Sequence, residues 1–169
     1  VGISLDMSNG NNLSNNTVMN SGYGILFEDY STYNTLRGNN MTGNTFNFGV
    51  KASFLHGFVH DIDTSNTVDG KPIYYLVNQH DKEIPADAGY VTAYNSTNIT
   101  VRNLNLTKNY FGALFVLTTN STIENVNVSD NYYSIVLLLS EDNAVINNTI
   151  TDNWMAALNL ESGSSSNTV

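Results

Sequence analysis

Cysteine is absent from the 169 residues, so neither disulfides nor thiolate metal centres hold this chain together. Lysine and arginine number only six against fifteen Asp and Glu, leaving a net charge of −9. A chain this acidic has no basic face to offer, so neither nucleic acid nor an anionic lipid surface is expected as a partner. No apolar run approaches the length that spans a bilayer, and membrane insertion of this stretch is not expected. No charged-then-apolar leader opens it. Charged residues are scarce at 12%, yet apolar residues reach 41%, enough for a core.

What the chain has in plenty is asparagine, and it comes in register. One phrase is written three times: Val101-Arg-Asn-Leu-Asn-Leu-Thr-Lys-Asn-Tyr110, Ile123-Glu-Asn-Val-Asn-Val-Ser-Asp-Asn-Tyr132 and Val145-Ile-Asn-Asn-Thr-Ile-Thr-Asp-Asn-Trp154. The copies start 22 residues apart both times. A fixed period of this length signals a solenoid, and apolar alternation inside each copy makes the unit strand rather than helix.

Three apolar columns run down the repeats. Ala113/Phe115 precede Ile135/Leu137, Ile123 precedes Val145, and Val128 precedes Ile150. Looser versions occur as Ile3/Leu5, Leu13, Val18 and as Ile25/Phe27, Leu36, Met41. Residues two apart share one face of a strand, whereas a spacing of five requires a turn between. Asn15, Gly38, Asn103, Asn125 and Asn147 mark that turn, since Asn and Gly accept a left-handed backbone. Asn44, Asn109, Asn131 and Asn153 are expected to close the coil as a second column of such corners. The pattern predicts an all-β parallel β-helix with about 22 residues per coil, in preference to an antiparallel sandwich, whose hairpins do not demand identical corners at identical spacing.

The whole of 1–169 is expected to be one β-helix segment. It opens and closes inside a coil, so further coils or domains of a longer chain are expected beyond it. Residues 47–100 depart from the repeat and are expected to form irregular, wider coils with a protruding loop near 78–89. Asp69-Gly70 is a strong turn signal there.

The stretch Asp61-Ile-Asp-Thr-Ser-Asn-Thr-Val-Asp-Gly-Lys-Pro-Ile-Tyr-Tyr-Leu76, its sequel Asp87-Ala-Gly-Tyr-Val91 and the coil phrase Asn120-Ser-Thr-Ile-Glu-Asn125 resemble the NosD-like right-handed parallel β-helix repeat family. The resemblance covers most of the chain. It implies right-handed winding and a β-helix of the carbohydrate-binding and sugar-hydrolase type found on archaeal and bacterial surfaces. It also brings a second association, delivery of copper in the periplasm. Met7, Met19, Met41 and Met155 are scattered and form no copper motif.

Two groups of residues are candidates for ligand binding. His56, His60, Asp61 and Asp63 lie in the irregular region, the two histidines on one side of a supposed strand and the two acids on the other. Imidazole with carboxylate suits Zn²⁺ or Cu²⁺, but groups on opposite faces do not converge on one ion, so no metal and no cofactor are expected. Asp61/Asp63 have a spacing that glycoside hydrolysis permits and that any Asp-x-Asp strand also supplies. Tyr110, Tyr132, Tyr133 and Trp154 follow the closing asparagines and should stack into a ladder, of which Tyr132, Tyr133 and Trp154 are candidates for contacting sugar rings.

Nine Asn-x-Ser/Thr sequons begin at Asn12, Asn15, Asn40, Asn95, Asn98, Asn105, Asn120, Asn127 and Asn147. They suit an exterior location where glycans could attach. The leading expectation is an extracellular or periplasmic module with a structural or carbohydrate-binding role and a carbohydrate or cell-surface polymer as partner. A polysaccharide hydrolase or lyase and a periplasmic copper-delivery accessory protein are the alternatives. Of the two candidate groups, the irregular-coil face is the favoured one.

Overall fold

A computed structural model describes residues 1–169. Strands account for nearly all the regular structure, and no α-helix forms. Coil one is β1 (Ile3–Asp6), β2 (Asn12–Ser14) and β3 (Thr17–Met19); coil two is β4 (Tyr23–Asp29), β5 (Thr35–Arg37) and β6 (Asn40–Thr42). Coil three is β7 (Phe46–Ala52), β8 (Asp61–Ile62) and β9 (Thr67–Val68), with a 3-10 turn at Leu55–Phe58 between its first two strands. Every strand pairs in parallel with its counterpart one coil on, which sets Leu5 beside Phe27, Leu13 beside Leu36 and Val18 beside Met41.

At Val68 the strand direction reverses. Asp69 and Gly70 take φ of 47° and 78°, the two consecutive left-handed residues that a type I′ hairpin needs. β10 (Lys71–Val77) then runs antiparallel to β9, with Lys71 opposite Val68 and Pro72 opposite Thr67. A second solenoid follows: β11 (His80–Glu83), β12 (Tyr90–Tyr94), β13 (Thr97–Arg102), β14 (Asn105–Thr107), β15 (Phe111–Val116), β16 (Thr122–Glu124), β17 (Asn127–Ser129), β18 (Tyr133–Leu138), β19 (Ala144–Ile146), β20 (Thr149–Thr151) and β21 (Leu158–Glu161). Its strands stack in parallel in the register the repeats predict, Ala113 on Ile135, Ile123 on Val145 and Val128 on Ile150. The expected single run of coils is therefore two runs, joined across one eight-stranded sheet ordered β21-β18-β15-β12-β10-β9-β6-β3.

That sheet is buried on both sides in its second half. Tyr74, Leu76, Val91, Ala93, Ala113 and Phe115 point into the second solenoid, with Ile135 and Leu137. The alternate residues Ile73, Tyr75, Tyr90, Leu114, Val116 and Val136 join the core of the first. Two-sided burial is why these strands read as unbroken apolar runs, whereas β2 and β3 alternate. At the seam the backbones nearly touch: Tyr110 N–H donates to Phe48 O at 2.9 Å, and a Cβ at Gly49 would sit 2.3 Å from Tyr110 Cβ.

The corner column is as read. Asn15, Asn103, Asn125 and Asn147 have φ of 52–57°, and Gly38 has 66°. The other asparagine column is different. The left-handed residue there lies one position earlier, at Lys108, Asp130 and Asp152. Asn109 and Asn131 are fully buried instead, and each backbone N–H donates to the Oδ1 of the next rung: Asn109 to Asn131 at 2.9 Å and Asn131 to Asn153 at 3.0 Å. They form an internal ladder, where a buried amide must find partners.

The protruding loop expected near 78–89 is largely absorbed into the wall. His80–Glu83 is β11, parallel to β13 with Lys82 beside Ile99. Its charges, which suggested a loop, are met by the neighbouring rung: Glu83 pairs with Arg102 at 2.8 Å, and Asn98 Nδ2 donates to Asp81 at 2.6 Å.

Candidate functional site

The irregular coil does not gather its four candidates. The expected strand through His56 is interrupted by the 3-10 turn at Leu55–Phe58, which leaves His56 exposed beside the Phe54 ring, centroids 6.4 Å apart. The same turn rotates His60 inward to 5% exposure. His60 Nδ1 accepts the Asn34 N–H at 3.2 Å, and Nε2 lies 2.9 Å from Gly57 O, so the ring is assigned as the neutral Nε2–H tautomer. One rung below, Asn34 Oδ1 accepts the Asn11 N–H at 2.8 Å. His60 thus fills an asparagine's place at the top of an internal ladder. Burial pulls its pKa down to about 4, and with both nitrogens engaged it has no lone pair for a ligand.

Asp61 and Asp63 do project outward together, on either side of the inward-facing Ile62. Arg37, on the adjacent strand β5, binds both: Nη2 to Asp61 Oδ2 at 2.5 Å and Nε to Asp63 Oδ2 at 3.2 Å. Asp63 also accepts hydrogen bonds from the Ser65 N–H and hydroxyl. The acid pair is a surface cluster bridged by one guanidinium, which offsets half of its charge. Arg37 lies 24 and 26 residues away in the chain, so the rung that joins them is not visible in a linear text.

The aromatic residues do stack, in two columns. Tyr110 and Tyr132 lie 4.9 Å apart and 7° from parallel, with Trp154 next at 6.3 Å from Tyr132. Phe111 and Tyr133 form the second column at 5.6 Å and 18°. Much of this aromatic surface serves the seam. Phe46 of the first solenoid meets Tyr132 and Trp154 edge-on at 5.7 and 5.1 Å, and Tyr23 packs on Tyr110 at 6.2 Å. Burial, then the neighbouring phenols of Tyr133 and Tyr132, push the Tyr110 hydroxyl well above its usual pKa. Outside the seam, Tyr132 and Tyr133 stay half-exposed and Trp154 is 66% exposed.

Beside these columns the two solenoids leave a groove between β7 with its 3-10 turn and β15 with β18. Two adjoining cavities of about 220 and 310 Å³ share Ala52, Phe58, Leu138 and Glu161. Tyr133 and Phe111 line one end, and Phe54 and Leu139 the other. The path follows β18 from Tyr133 to Leu138, roughly 17 Å at the usual rise per strand residue. Exposed Lys51 and Glu161 add charge of both signs. Of the candidate residues, Tyr133 lines this groove and Tyr132 touches it through their rings, centroids 5.1 Å apart. Phe54, Phe58, Lys51 and Glu161 were missed, because the groove exists only through the reversal at Asp69-Gly70.

The fold and seam define a parallel β-helix protein built of two solenoids. The family model for the right handed beta helix region matches residues 83–169, and that of the periplasmic copper-binding protein NosD matches residues 1–69. The chain belongs to the right-handed β-helix family. The NosD match ends at the hairpin, and the other match lies wholly inside the second solenoid. No curated protein and no solved structure matches the chain.

Proposed function

We propose that this chain is a β-helix module working outside the cytoplasm, with rigid coils as its shaft and the inter-solenoid groove as a carbohydrate-binding surface. The groove itself carries the reading. It is an open channel lined mainly by apolar side chains, with Phe111 and Tyr133 at one end and Phe54 at the other, flanked by Lys51 and Glu161. Sugar rings offer apolar C–H faces and polar edges, which aromatic faces and charged side chains respectively suit. The outside location is supported by the family match, since NosD is described as periplasmic.

Two other readings are weaker. Glycoside cleavage uses a pair of carboxyl groups about 5 to 9.5 Å apart; the groove offers Glu161 alone, while Asp61 and Asp63 are held by Arg37. Copper would need soft or imidazole donors brought together. Here Met41 is sealed in the core, His60 has spent both nitrogens, and no three His, Cys, Asp or Glu side chains lie together.

An oligosaccharide array probed with the wild-type chain and with Phe54→Ala/Tyr133→Ala tests the proposal. The wild type is expected to retain a set of linear glycans that the double variant loses. Loss on Asp61→Asn/Asp63→Asn, with the aromatic variant unaffected, would move the site to the irregular coil. Release of new reducing ends from a bound glycan would replace binding with hydrolysis.

A further inference from the structure

Two groups of asparagines are kept apart by the coil register. Eight are buried, and none of them begins a sequon. The cause is geometric: two residues after a ladder asparagine the chain reaches an inward position, as in Asn39-x-Met41, Asn66-x-Val68 and Asn143-x-Val145. An apolar residue is needed there, so Ser or Thr is excluded. The nine sequon asparagines occupy outward strand positions or left-handed corners. Eight are exposed and Asn40 is half-buried. In Asn105-Leu-Thr107 and Asn127-Val-Ser129, strand alternation turns the asparagine and the hydroxyl outward together and the apolar residue in.

Their distribution over the surface is uneven. The strands that build the groove, β7, β15, β18 and β21, contain no sequon asparagine. Two pairs stand one rung apart. Asn105 lies directly beside Asn127, whose Nδ2 donates to it at 2.9 Å. Asn98 and Asn120 occupy the same corner of successive coils, next to the Thr97–Thr119 bridge. Neighbouring rungs are only about 4.8 Å apart, too close for two oligosaccharides to project side by side.

We infer that the chain is an acceptor of N-linked glycans on the faces away from the groove, with at most one glycan on each of the pairs Asn98/Asn120 and Asn105/Asn127. The donor is an oligosaccharide activated as a glycosyl phosphate and supplied with its own transferase. The Asn Nδ2 attacks the anomeric carbon, the C1–O bond to phosphate breaks with the phosphate as leaving group, and one Nδ2 proton passes to the transferase's base. The carboxamide keeps one N–H. The modification depends on the outside location proposed above but not on what the groove binds.

Glycopeptide mapping of the protein purified from its source cells, with fractionation of those cells, tests this. Expected are sugar adducts on sequon asparagines, never on both members of a stacked pair in one molecule. Thr149→Ala should abolish the adduct at Asn147 while leaving that asparagine in place. An exported protein of unmodified intact mass overturns the inference and leaves the groove reading standing. Recovery in the cytosolic fraction overturns both. Adducts on a ladder asparagine such as Asn131, or on both Asn105 and Asn127 together, also overturn it.

Discussion

Asparagine at two columns of the same coil does two different jobs, and replacing it with glycine separates them. Asn125 is exposed at a corner with φ of 52°, and no side-chain hydrogen bond holds it. Glycine takes that conformation without a steric penalty, so Asn125→Gly should change stability by no more than about 0.5 kcal/mol. Asn125→Ala should cost about 1 kcal/mol, the price of a Cβ in the left-handed region. Asn131 is fully buried. Its Oδ1 accepts the Asn109 N–H at 2.9 Å, and its Nδ2 donates to Leu106 O and Ser129 O at 2.9 and 3.0 Å.

Asn131→Gly leaves the Asn109 N–H without a partner in the dry interior and strips a donor from two carbonyls. Each abandoned buried group is worth about 1–3 kcal/mol. Carbonyls tolerate under-satisfaction better than an orphaned N–H, so the sum falls near 2–5 kcal/mol. That is a large share of the roughly 5–15 kcal/mol holding a typical domain. Urea denaturation followed by far-UV circular dichroism measures both variants, provided the transition slope stays constant. Asn131→Gly and Asn131→Ala should both lower the midpoint strongly, whereas at Asn125 only alanine should have a visible effect. An Asn131→Gly variant as mild as Asn125→Gly would refute the ladder and restore that column as a corner.

His60 predicts a pH dependence. Its folded pKa of about 4 lies below the ordinary histidine value of 6.5, so the unfolded chain binds the extra proton in that interval. The stability from keeping it neutral is complete above about pH 6.5 and is lost as pH falls toward 4, roughly 3 kcal/mol in all. His60→Asn, which restores the ladder residue, should flatten that part of the profile; an unchanged profile would place the titration elsewhere. Gly49→Ala should cost about 1–3 kcal/mol by forcing a Cβ against Tyr110 at the seam. Amide exchange should accelerate in β7 and β15 and stay the same in β16 and β17; uniform protection would mean the seam is not tight.

The repeats at Val101, Ile123 and Val145 were fully legible because their spacing and register are local properties of the text. The reversal at Asp69-Gly70 was not. A coil corner takes one left-handed residue and a type I′ hairpin takes two, and Asp-Gly is compatible with either. The signal that could have decided it is the presence, on both sides of residue 70, of strands that read as continuous buried runs. Before residue 70, β4 is buried from Gly24 to Phe27 and β7 from Phe46 to Val50, while β2, β3, β5 and β6 each hold a single buried residue. After it, Phe111–Val116 is buried at every position, so something had to cover both faces of that wall. The text shows that a cover exists and withholds that it is the first three coils of the same chain.

The candidate site shows the same division more sharply. His60, Asp61 and Asp63 stood out because they broke the repeat, yet each is accounted for by the rung next to it. His60 completes a column with Asn11 and Asn34, at intervals of 23 and then 26 residues. Those intervals drift from the 22 of the regular coils, so the column cannot be found by counting. Arg37 meets Asp61 and Asp63 across one rung spacing, although 24 and 26 residues separate them in the chain. In a solenoid the nearest neighbours of a side chain lie a full coil away, so an odd residue has to be weighed against its rung before it is assigned to a ligand. By that standard Trp154 is only partly explained by packing, on Tyr132 and Phe46. It ends an aromatic column and keeps 66% of its surface exposed, although burying so large a ring is among the most favourable things a fold can do with it.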